Sequence, residues 1–165
     1  MELEPTFRRP TEPDHDAIVR RIDDWAGGRA ARHLLSRLWF RYFTETSWVA
    51  DRGDGRAVGI AIGFVSQDDP ATAALHLVAV DPRNRRRGIG RQLVTRFVDD
   101  AVKRGAARVR TTAWPDDHPT IAFLEAVGFD LLAEPGRQRL YGTPAVTDFD
   151  VPGDDRAELE LVVRA

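Results

Sequence analysis

The segment from Val78 to Gln92 carries the clearest chemical signal in the sequence. An apolar stretch ends at Pro82, an arginine-rich turn follows, and Gly88 and Gly90 open an amphipathic pattern. The first amides of a helix have no internal partner, and the helix dipole adds partial positive charge there. Glycine also lets an anion approach the backbone. The segment therefore predicts an anion site; the structural alternative is a solvated basic turn before an ordinary helix.

Two common phosphate-binding motifs are excluded. A Walker A loop needs Gly-Lys before Ser or Thr, and the only lysine, Lys103, lies inside a predicted helix. The dinucleotide fingerprint needs a glycine three residues after Gly90, where this chain has Leu93. Arginine side chains would add attraction for a phosphate. The arginines of the turn are Arg83, Arg85, Arg86 and Arg87.

Two motifs in order resemble the GCN5-related N-acetyltransferase (GNAT) family. Arg85-x-x-Gly88-x-Gly90 is similar to the family motif that cradles the pyrophosphate of acetyl-coenzyme A, and residues 78–82 are similar to the strand and turn before it. Residues 117–129 are similar to the second signature, a short helix ending in Gly-Phe. The resemblance is close over residues 75–132 and looser outside them.

The resemblance implies an α/β (mixed α+β) fold. Its strongly twisted mixed sheet has about six to seven strands and flanking helices, and the fourth and fifth strands splay apart. The acyl donor, acetyl-coenzyme A, would place its pantetheine arm in that gap along residues 77–80 and its pyrophosphate against the amides of residues 86–91. No metal is implied. The implied cofactor-binding residues are Val78, Ala79, Val80, Arg85, Arg86, Arg87, Gly88, Ile89, Gly90, Arg91, Asp117, Phe123 and Leu124.

The reaction that the resemblance implies is direct attack of a primary amine on the thioester in a ternary complex. A backbone amide near Val78 or Ala79 would stabilise the developing oxyanion. In this family a tyrosine often protonates the departing thiolate, but Leu124 occupies its position here. That role is therefore empty, moved or taken by water, and the candidate acids are His118 and Tyr141.

His76 is the candidate general base, because it precedes Val78 on the same predicted strand and imidazole titrates near neutrality. The alternative is a buried histidine without a catalytic role. Asp117 replaces the usual asparagine of the second signature and is also a suitable helix cap before Pro119. A second function class stays open: a coenzyme-A-binding sensor or interaction module that has lost catalysis, which Leu124 supports.

The sequence gives less specific indications about the site that would bind the acceptor amine. Aromatic residues cluster in the first third of the chain, where the family builds its acceptor pocket, although helical spacing favours a core role for Trp39 and Phe43. These aromatics are Trp25, Trp39, Phe40, Phe43 and Trp48. The acidic run at residues 148–155 would attract a cationic amine or form a solvated turn. The acceptor is expected to be a small-molecule or peptide amine.

Alternating strands and helices must position these residues. Apolar periodicity predicts helices over residues 11–25, 30–43, 89–104 and 119–127. Shorter apolar runs predict strands over residues 47–51, 57–65, 73–80, 108–113, 129–132 and 158–163. Residues 134–156 are rich in Gly, Pro and Asp and predict a loop. The whole, residues 1–165, is expected to form a single N-acetyltransferase domain.

Composition sets the remaining limits. The 165 residues include no cysteine, so disulfides, thiolate metal sites and cysteine nucleophiles are excluded. The net charge of −2 argues against a nucleic-acid-binding surface, and no signal peptide or membrane segment is visible. All basic residues but one are arginines, a bacterial-like bias of GC-rich coding. We expect a cytoplasmic enzyme, with a homodimer suggested by the resemblance.

Overall fold

A seven-stranded mixed sheet forms the centre of the computed structural model, which describes residues 3–134 and 136–163. Two further strands form a separate hairpin. The strands are β1 (Thr6–Arg8), β2 (Trp48–Asp51), β3 (Ala57–Val65), β4 (Thr72–Val80), β5 (Arg108–Ala113), β6 (Asp130–Leu131), β7 (Gln138–Leu140), β8 (Thr143–Ala145) and β9 (Ala157–Val162). The sheet order is β1-β2-β3-β4-β5-β9-β6, and only β4 and β5 run parallel. The predicted mixed sheet is confirmed.

Helices cover both faces of the sheet. They are α1 (Glu12–Val19), α2 (Ile22–Trp25), α3 (Trp39–Tyr42), α4 (Ile89–Lys103) and α5 (His118–Ala126), with 3₁₀ turns at Arg32–Leu34, Thr44–Thr46 and Pro82–Asn84. The stripe of α4 that includes Leu93 and Phe97 packs on one face, whereas Ile18 and Ile22 anchor α1 and α2 on the other. In the part of the chain that the structure describes, no helix has the length and apolar character needed to cross a membrane.

The N-terminal helices differ from the sequence prediction. The prediction of one helix over residues 30–43 is wrong. Leu35 leaves helical geometry (φ −111°, ψ 65°) between a 3₁₀ turn and α3. Leu38 and Tyr42, which have the apolar spacing of that predicted helix, are 54% and 70% exposed. The helix expected over residues 11–25 is also interrupted, after Val19.

Two short strand regions were missed by the sequence analysis. The expected loop over residues 134–156 contains the β7–β8 hairpin, and the described part of it also bridges Val146 to Arg156. Strand β1 is only three residues long and is defined by its pairing with β2. Strands of three residues are too short to show a clear alternation of apolar and polar residues, so the sequence alone predicts them poorly.

Strands β4 and β5 separate partway along their length, as the resemblance implied. Their parallel pairing runs from Thr72↔Arg108 to Leu75↔Thr111 and stops, although β4 continues to Val80. On the other edge of β4, Gly63 of β3 pairs with Leu75 and Ile62 pairs with Leu77. His76 is therefore the extra residue of a β-bulge, at the point where the gap opens.

Candidate active site

The turn between β4 and α4 presents backbone amides to open space. Gly88 is the N-cap of α4 in the left-handed region (φ 75°), and a Cβ built on it would meet no atom within 4 Å. The first bond of the helix joins the Gln92 amide to the Gly88 carbonyl at 3.0 Å. The amides of residues 89–91 therefore precede the helical ladder and suit an anion.

Buried Asp81 shapes the start of this turn. Its Oδ1 accepts a hydrogen bond from the Arg83 amide at 3.0 Å, and its carbonyl accepts one from the Asn84 amide at 2.8 Å. The short 3₁₀ turn Pro82–Asn84 results. Arg86 follows in a left-handed conformation (φ 64°), so the chain reverses sharply before Gly88.

A cavity of about 520 Å³ connects this turn to the gap between the splayed strands. One wall is the free end of β4, another is the start of α4, and the segment after α2 and the start of α5 complete it. Its lining includes most of the predicted cofactor-binding residues: Val78, Ala79, Val80, Arg85, Arg86, Gly88, Ile89, Gly90, Arg91, Asp117 and Phe123. Sequence reasoning did not single out Arg29 and Asn84, which also line it.

Gly90 has a different role from Gly88. A Cβ at Gly90 would lie 3.1 Å from Cζ of Phe123 and 3.7 Å from Cγ2 of Val80. A side chain here would therefore press on α5 and β4. The glycine allows α4 and α5 to pack closely, whereas the Gly88 position keeps the mouth of the cavity open.

The arginines of the turn are divided between three tasks. Arg85 donates from Nη2 to the Trp25 carbonyl at 2.7 Å and from Nε to the Val80 carbonyl at 3.2 Å, so its guanidinium joins α2 to β4. Arg86 lines the 520 Å³ cavity. Arg83 and Arg87 instead line a second cavity, on the other side of the turn.

Adjacent residues of α5 face in different directions. Phe123 lines the cavity, but Leu124, one residue further round the helix, is 1% exposed and packs in the core on the α4 side of the sheet. Leu124 was predicted among the cofactor-binding residues, and the structure places it behind the cavity wall. Asp117 lines the cavity and also caps α5, as its helix-cap reading predicted, by accepting from the Thr120 amide at 3.3 Å.

His76 lies outside the 520 Å³ cavity lining, on the α1–α2 face of the sheet. Its ring stacks on Trp39 with centroids 4.4 Å apart, and Nε2 is 2.7 Å from the Leu34 carbonyl. A carbonyl only accepts, so Nε2 carries the proton and Nδ1 carries the lone pair. Burial lowers the pKa of His76, outweighing the hydrogen bond to Leu34 that raises it. The neutral ring is therefore favoured near pH 7.

His118 and Tyr141 lie together but away from the cavity lining. His118 is exposed at the start of α5, and its Nε2 donates to the Tyr141 carbonyl at 3.0 Å. Tyr141 has a positive φ of 52° in the β7–β8 turn and is 71% exposed. Neither side chain is placed beside residues 76–80 by these contacts.

The aromatic residues of the first third do not form one group: Trp48 packs against the core on the α4 side, and Phe40 is buried on the α1–α2 side. Trp25 lines the cavity; its Nε1 is buried and makes no hydrogen bond with the described residues. Trp39 and Phe43 are half-buried, with centroids 4.7 Å apart, and Trp39 also stacks on Phe64 at 5.8 Å. The expected core role of Trp39 and Phe43 is therefore only partly met.

The residues present fit acetyl-coenzyme A. The open turn at Gly88 would receive the pyrophosphate, the free edge of β4 would pair with the amide-containing pantetheine arm, and the buried Trp25 Nε1 offers an unused donor. Among residues 3–134 and 136–163, no group of three or more His, Asp or Glu side chains is arranged to hold a metal ion.

Comparison with known proteins also points to acetyltransferases. The model of the acetyltransferase (GNAT) family matches residues 5–129. The L-2,4-diaminobutyric acid acetyltransferase of Nocardia farcinica is 36% identical over 117 residues, covering 71% of this chain and 60% of that protein. The ribosomal protein bS18 alanine N-acetyltransferase of Escherichia coli is 29% identical over 111 residues, covering 61% of this chain and 73% of that protein.

A solved structure shares the fold over nearly its whole length. It is the diaminobutyrate acetyltransferase of Paenibacillus lautus in complex with L-2,4-diaminobutyric acid and coenzyme A, with a TM-score of 0.71 at 22% identity, covering 97% of this chain and 95% of that chain. By contrast, the chain spans 60% and 48% of the lengths of the diaminobutyric acid acetyltransferases of Nocardia farcinica and Streptomyces coelicolor. The family match over residues 5–129 and the open turn at the mouth of the β4–β5 gap agree, and the chain belongs to the GNAT family of acetyltransferases.

Proposed function

We propose that residues 1–165 form one N-acetyltransferase domain that moves the acetyl group of acetyl-coenzyme A to a primary amine. The observation that supports this proposal most directly is that one continuous cavity, of about 520 Å³, joins the turn at Gly88 to the free edge of β4. One end suits a pyrophosphate and the other suits an extended amide chain. Acetyl-coenzyme A has these two parts in this order, with the thioester beyond them.

In this proposal the protein binds acetyl-coenzyme A and the amine at the same time, and it forms no covalent bond with either. The amides of residues 89–91 bind the pyrophosphate, and the backbone of residues 77–80 binds the pantetheine arm. An amide near Val78 or Ala79 donates to the thioester carbonyl oxygen, a contact worth about 3 kcal/mol in the transition state if well aligned. The amine nitrogen bonds to the carbonyl carbon, the C–S bond breaks, the amine loses one proton and the thiolate gains one.

His76 is the proposed base. Its Nε2 hydrogen bond to the Leu34 carbonyl fixes the ring and leaves Nδ1 as the proton acceptor. The lowered pKa keeps this nitrogen unprotonated at neutral pH. Leu124 has no proton to donate and lies in the core, and the contacts of Tyr141 and His118 do not place their side chains beside residues 76–80, so we assign protonation of the thiolate to water.

The proposed acceptor is a small molecule or peptide with a primary amine. The names of the relatives support two starting points, L-2,4-diaminobutyric acid and a peptide with an N-terminal alanine. The half-buried aromatic cluster of Trp39, Phe43 and Phe64 lies beside His76 and is the surface we assign to the acceptor. We place the protein in the cytoplasm, without nucleic-acid or membrane partners, and propose a homodimer.

Release of free thiol from acetyl-coenzyme A tests the enzyme proposal. The protein is incubated with a panel of diamino acids, polyamines, amino sugars and alanine-terminated peptides, and coenzyme A binding is measured separately by calorimetry. Turnover on at least one amine is expected. His76→Gln should lower kcat at least tenfold, whereas Tyr141→Phe and His118→Gln should leave kcat within about twofold.

The same experiment separates the enzyme from the alternative, a coenzyme-A-binding sensor or interaction module. Burial of Leu124 at the position of the usual tyrosine is the observation that favours that alternative. Binding of coenzyme A without turnover on any amine would contradict the enzyme proposal and support the sensor. Loss of both binding and turnover would contradict both.

A further inference from the structure

Arg156 is the most deeply buried arginine in the part of the chain that the structure describes. Its side chain is 4% exposed, and it stands immediately before β9. Moving a guanidinium group out of water is costly unless its charge is paired and its N–H donors are bonded. The contacts of Arg156 therefore show whether the protein alone compensates this buried charge.

The guanidinium group of Arg156 is bonded at one nitrogen only. Nε donates to Oδ1 of Asp154 at 2.9 Å. Neither Nη1 nor Nη2 makes a hydrogen bond or ion pair with any residue in the ranges 3–134 and 136–163, and Nη2 is buried. Oδ2 of Asp154 is also buried and unbonded within those ranges, so the two side chains do not form the double contact that arginine and carboxylate groups often make. The Nη edge of a buried cation is therefore left for a further anionic group.

Trp114 packs on this guanidinium group. Cζ of Arg156 lies 4.7 Å from the centroid of the Trp114 ring, within cation–π range. The last pair between β5 and β9 is Ala113↔Ala157, so Trp114 and Arg156 are the next residues along the two segments. Ala113 and Ala157 face the α4 side, and neighbouring residues of a strand face opposite sides. Trp114 accordingly packs with the α1–α2 cluster, and Arg156 lies with it on the side of the sheet where His76 lies.

Arg156 and His76 lie on opposite sides of the gap between β4 and β5. Pairing of these strands ends at Leu75↔Thr111, so His76 begins the free part of β4, and Trp114 follows the last residue of β5. His76 and Trp114 both face the α1–α2 side, and each keeps part of its surface exposed. Burial is the main cause of the lowered pKa of His76, and the charge of Arg156 lowers it further, so the field of the guanidinium group reaches the imidazole. An amine held at His76 would therefore have this buried cation nearby.

We propose that Arg156 binds a carboxylate of the acceptor, so that the acceptor is a free amino acid rather than a polyamine, an amino sugar or a peptide N-terminus. The inference rests on the proposed function, since it takes His76 as the base and the α1–α2 side as the acceptor surface. A carboxylate matches the planar Nη donors and neutralises the buried charge. An amine without a negative group would bring its own positive charge toward an uncompensated cation, which selects against it. Arg156 determines specificity and takes no part in the proton transfer.

Matched acids and amides test this assignment on the unmodified protein. Release of free thiol from acetyl-coenzyme A is measured with a panel of free L-amino acids, L-2,4-diaminobutyric acid included, and with the carboxamide of each. The carboxamide keeps the amine and the shape of the acid but has no negative charge. For the best acid, kcat/KM should exceed that of its carboxamide about tenfold to a hundredfold, the effect of one hydrogen-bonded charge pair.

Variants of Arg156 connect that preference to the residue. Arg156→Gln should lower kcat/KM for the acid about tenfold to a hundredfold, mainly through KM, and change kcat/KM for the carboxamide less than about threefold. Arg156→Lys should keep part of the preference, because the charge remains. Arg110→Gln is the matched control: Arg110 is an exposed arginine of β5 that pairs with Glu160 at 2.7 Å, and its loss should leave the ratio unchanged. Thermal unfolding and coenzyme A calorimetry check that each variant is folded.

Three results would overturn the inference. One is a best acceptor without a carboxylate, and another is an acid and its carboxamide acetylated equally by the wild type; both hold even if the Arg156 variants do not fold. The third is an equal loss for acid and carboxamide in folded Arg156→Gln, which would assign Arg156 a structural role. A protein that binds coenzyme A but acetylates no amine would contradict the proposed function. Calorimetry of the same pairs with the coenzyme-A-saturated protein then decides this inference: tighter binding of an acid than of its carboxamide supports it, and equal binding or none overturns it.

Discussion

Gly88→Ala tests whether the turn before α4 binds the acyl donor through its backbone. Gly88 has a φ of 75°, a conformation that costs an L-residue about 1–2 kcal/mol. No atom lies within 4 Å of the new Cβ, so conformational strain is the only expected folding cost. At about 2–4 °C per kcal/mol for a chain of this size, the melting temperature should fall by a few degrees.

The effect on binding should be larger than the effect on folding. The methyl group would occupy the space through which an anion reaches the amides of residues 89–91. A hydrogen bond to a charged group contributes about 1.5–3 kcal/mol, so loss of one weakens coenzyme A binding about tenfold to a hundredfold. Isothermal titration calorimetry measures this change, and thermal unfolding followed by circular dichroism measures stability.

Gly105→Ala is the matched control. Gly105 follows the other end of α4, also has a positive φ (95°), and also has no atom within 4 Å of an added Cβ. Its stability loss should equal that of Gly88→Ala, while its coenzyme A affinity should not change. If Gly88→Ala lowers the melting temperature as expected but binds coenzyme A within twofold of the wild type, the amides of this turn do not hold the pyrophosphate.

Three further changes follow from contacts away from Gly88. Because burial lowers the pKa of His76 below its usual value of about 6.5, the folded state favours neutral imidazole: stability is full above pH 6.5 and is lost as the pH falls below it. In urea unfolding, the free energy of unfolding should fall less between pH 7.5 and pH 5.5 for His76→Gln than for the wild type. An equal fall in the two proteins would contradict the lowered pKa of His76. Arg85→Met removes the bonds to the Trp25 and Val80 carbonyls and should cost about 1–3 kcal/mol of unfolding free energy with weaker coenzyme A binding; unchanged stability would show that these bonds contribute nothing. Gly63→Ala would drive a Cβ into the Ala74 carbonyl and the Phe97 ring and should cost about 1–3 kcal/mol or more, measured by chemical denaturation; a stability equal to the wild type would mean that this contact relaxes freely.

The regular elements next to the site were predictable because their burial is periodic. Leu93 and Phe97 recur on one side of α4, and residues 73–80 form an apolar run interrupted by His76, so local sequence and tertiary packing favour the same structure. The segment over residues 30–43 has similar leucine spacing, but Leu35 turns into the core out of helical geometry and Leu38 points to solvent. Periodicity alone does not distinguish the two cases, because contacts from distant residues decide the outcome.

The turn before α4 and the cavity beside it lie where the sequence predicted an anion site, but the contacts of the individual arginines were not predictable. Gly88 opens α4 and lines the 520 Å³ cavity, whereas the arginines of the turn are divided between that cavity, a second cavity and bonds to backbone carbonyls. That Arg85 bonds to two carbonyls while Arg83 faces another cavity depends on where α2 and the β2–β3 hairpin pack, and neither contact is encoded nearby in sequence. Arginine is suited to both tasks, since the same guanidinium donors bind carbonyl or phosphate oxygens. Residue type therefore does not separate an arginine that bonds to backbone carbonyls from one that lines a cavity.

The bulge at His76 explains how one strand can serve both faces of the site. Before it, Ala73 and Leu75 pack against the α4 side; after it, Val78 and Val80 do so, while Leu77 packs on the α1–α2 side. Side chains alternate strictly along a regular strand, so this change from odd to even positions requires one extra residue. His76 is that residue, and pairing with β5 ends at its neighbour Leu75. The insertion therefore turns the imidazole toward Trp39 at the same point where the edge of β4 becomes free, which brings the proposed base and the proposed donor-binding edge together on consecutive residues.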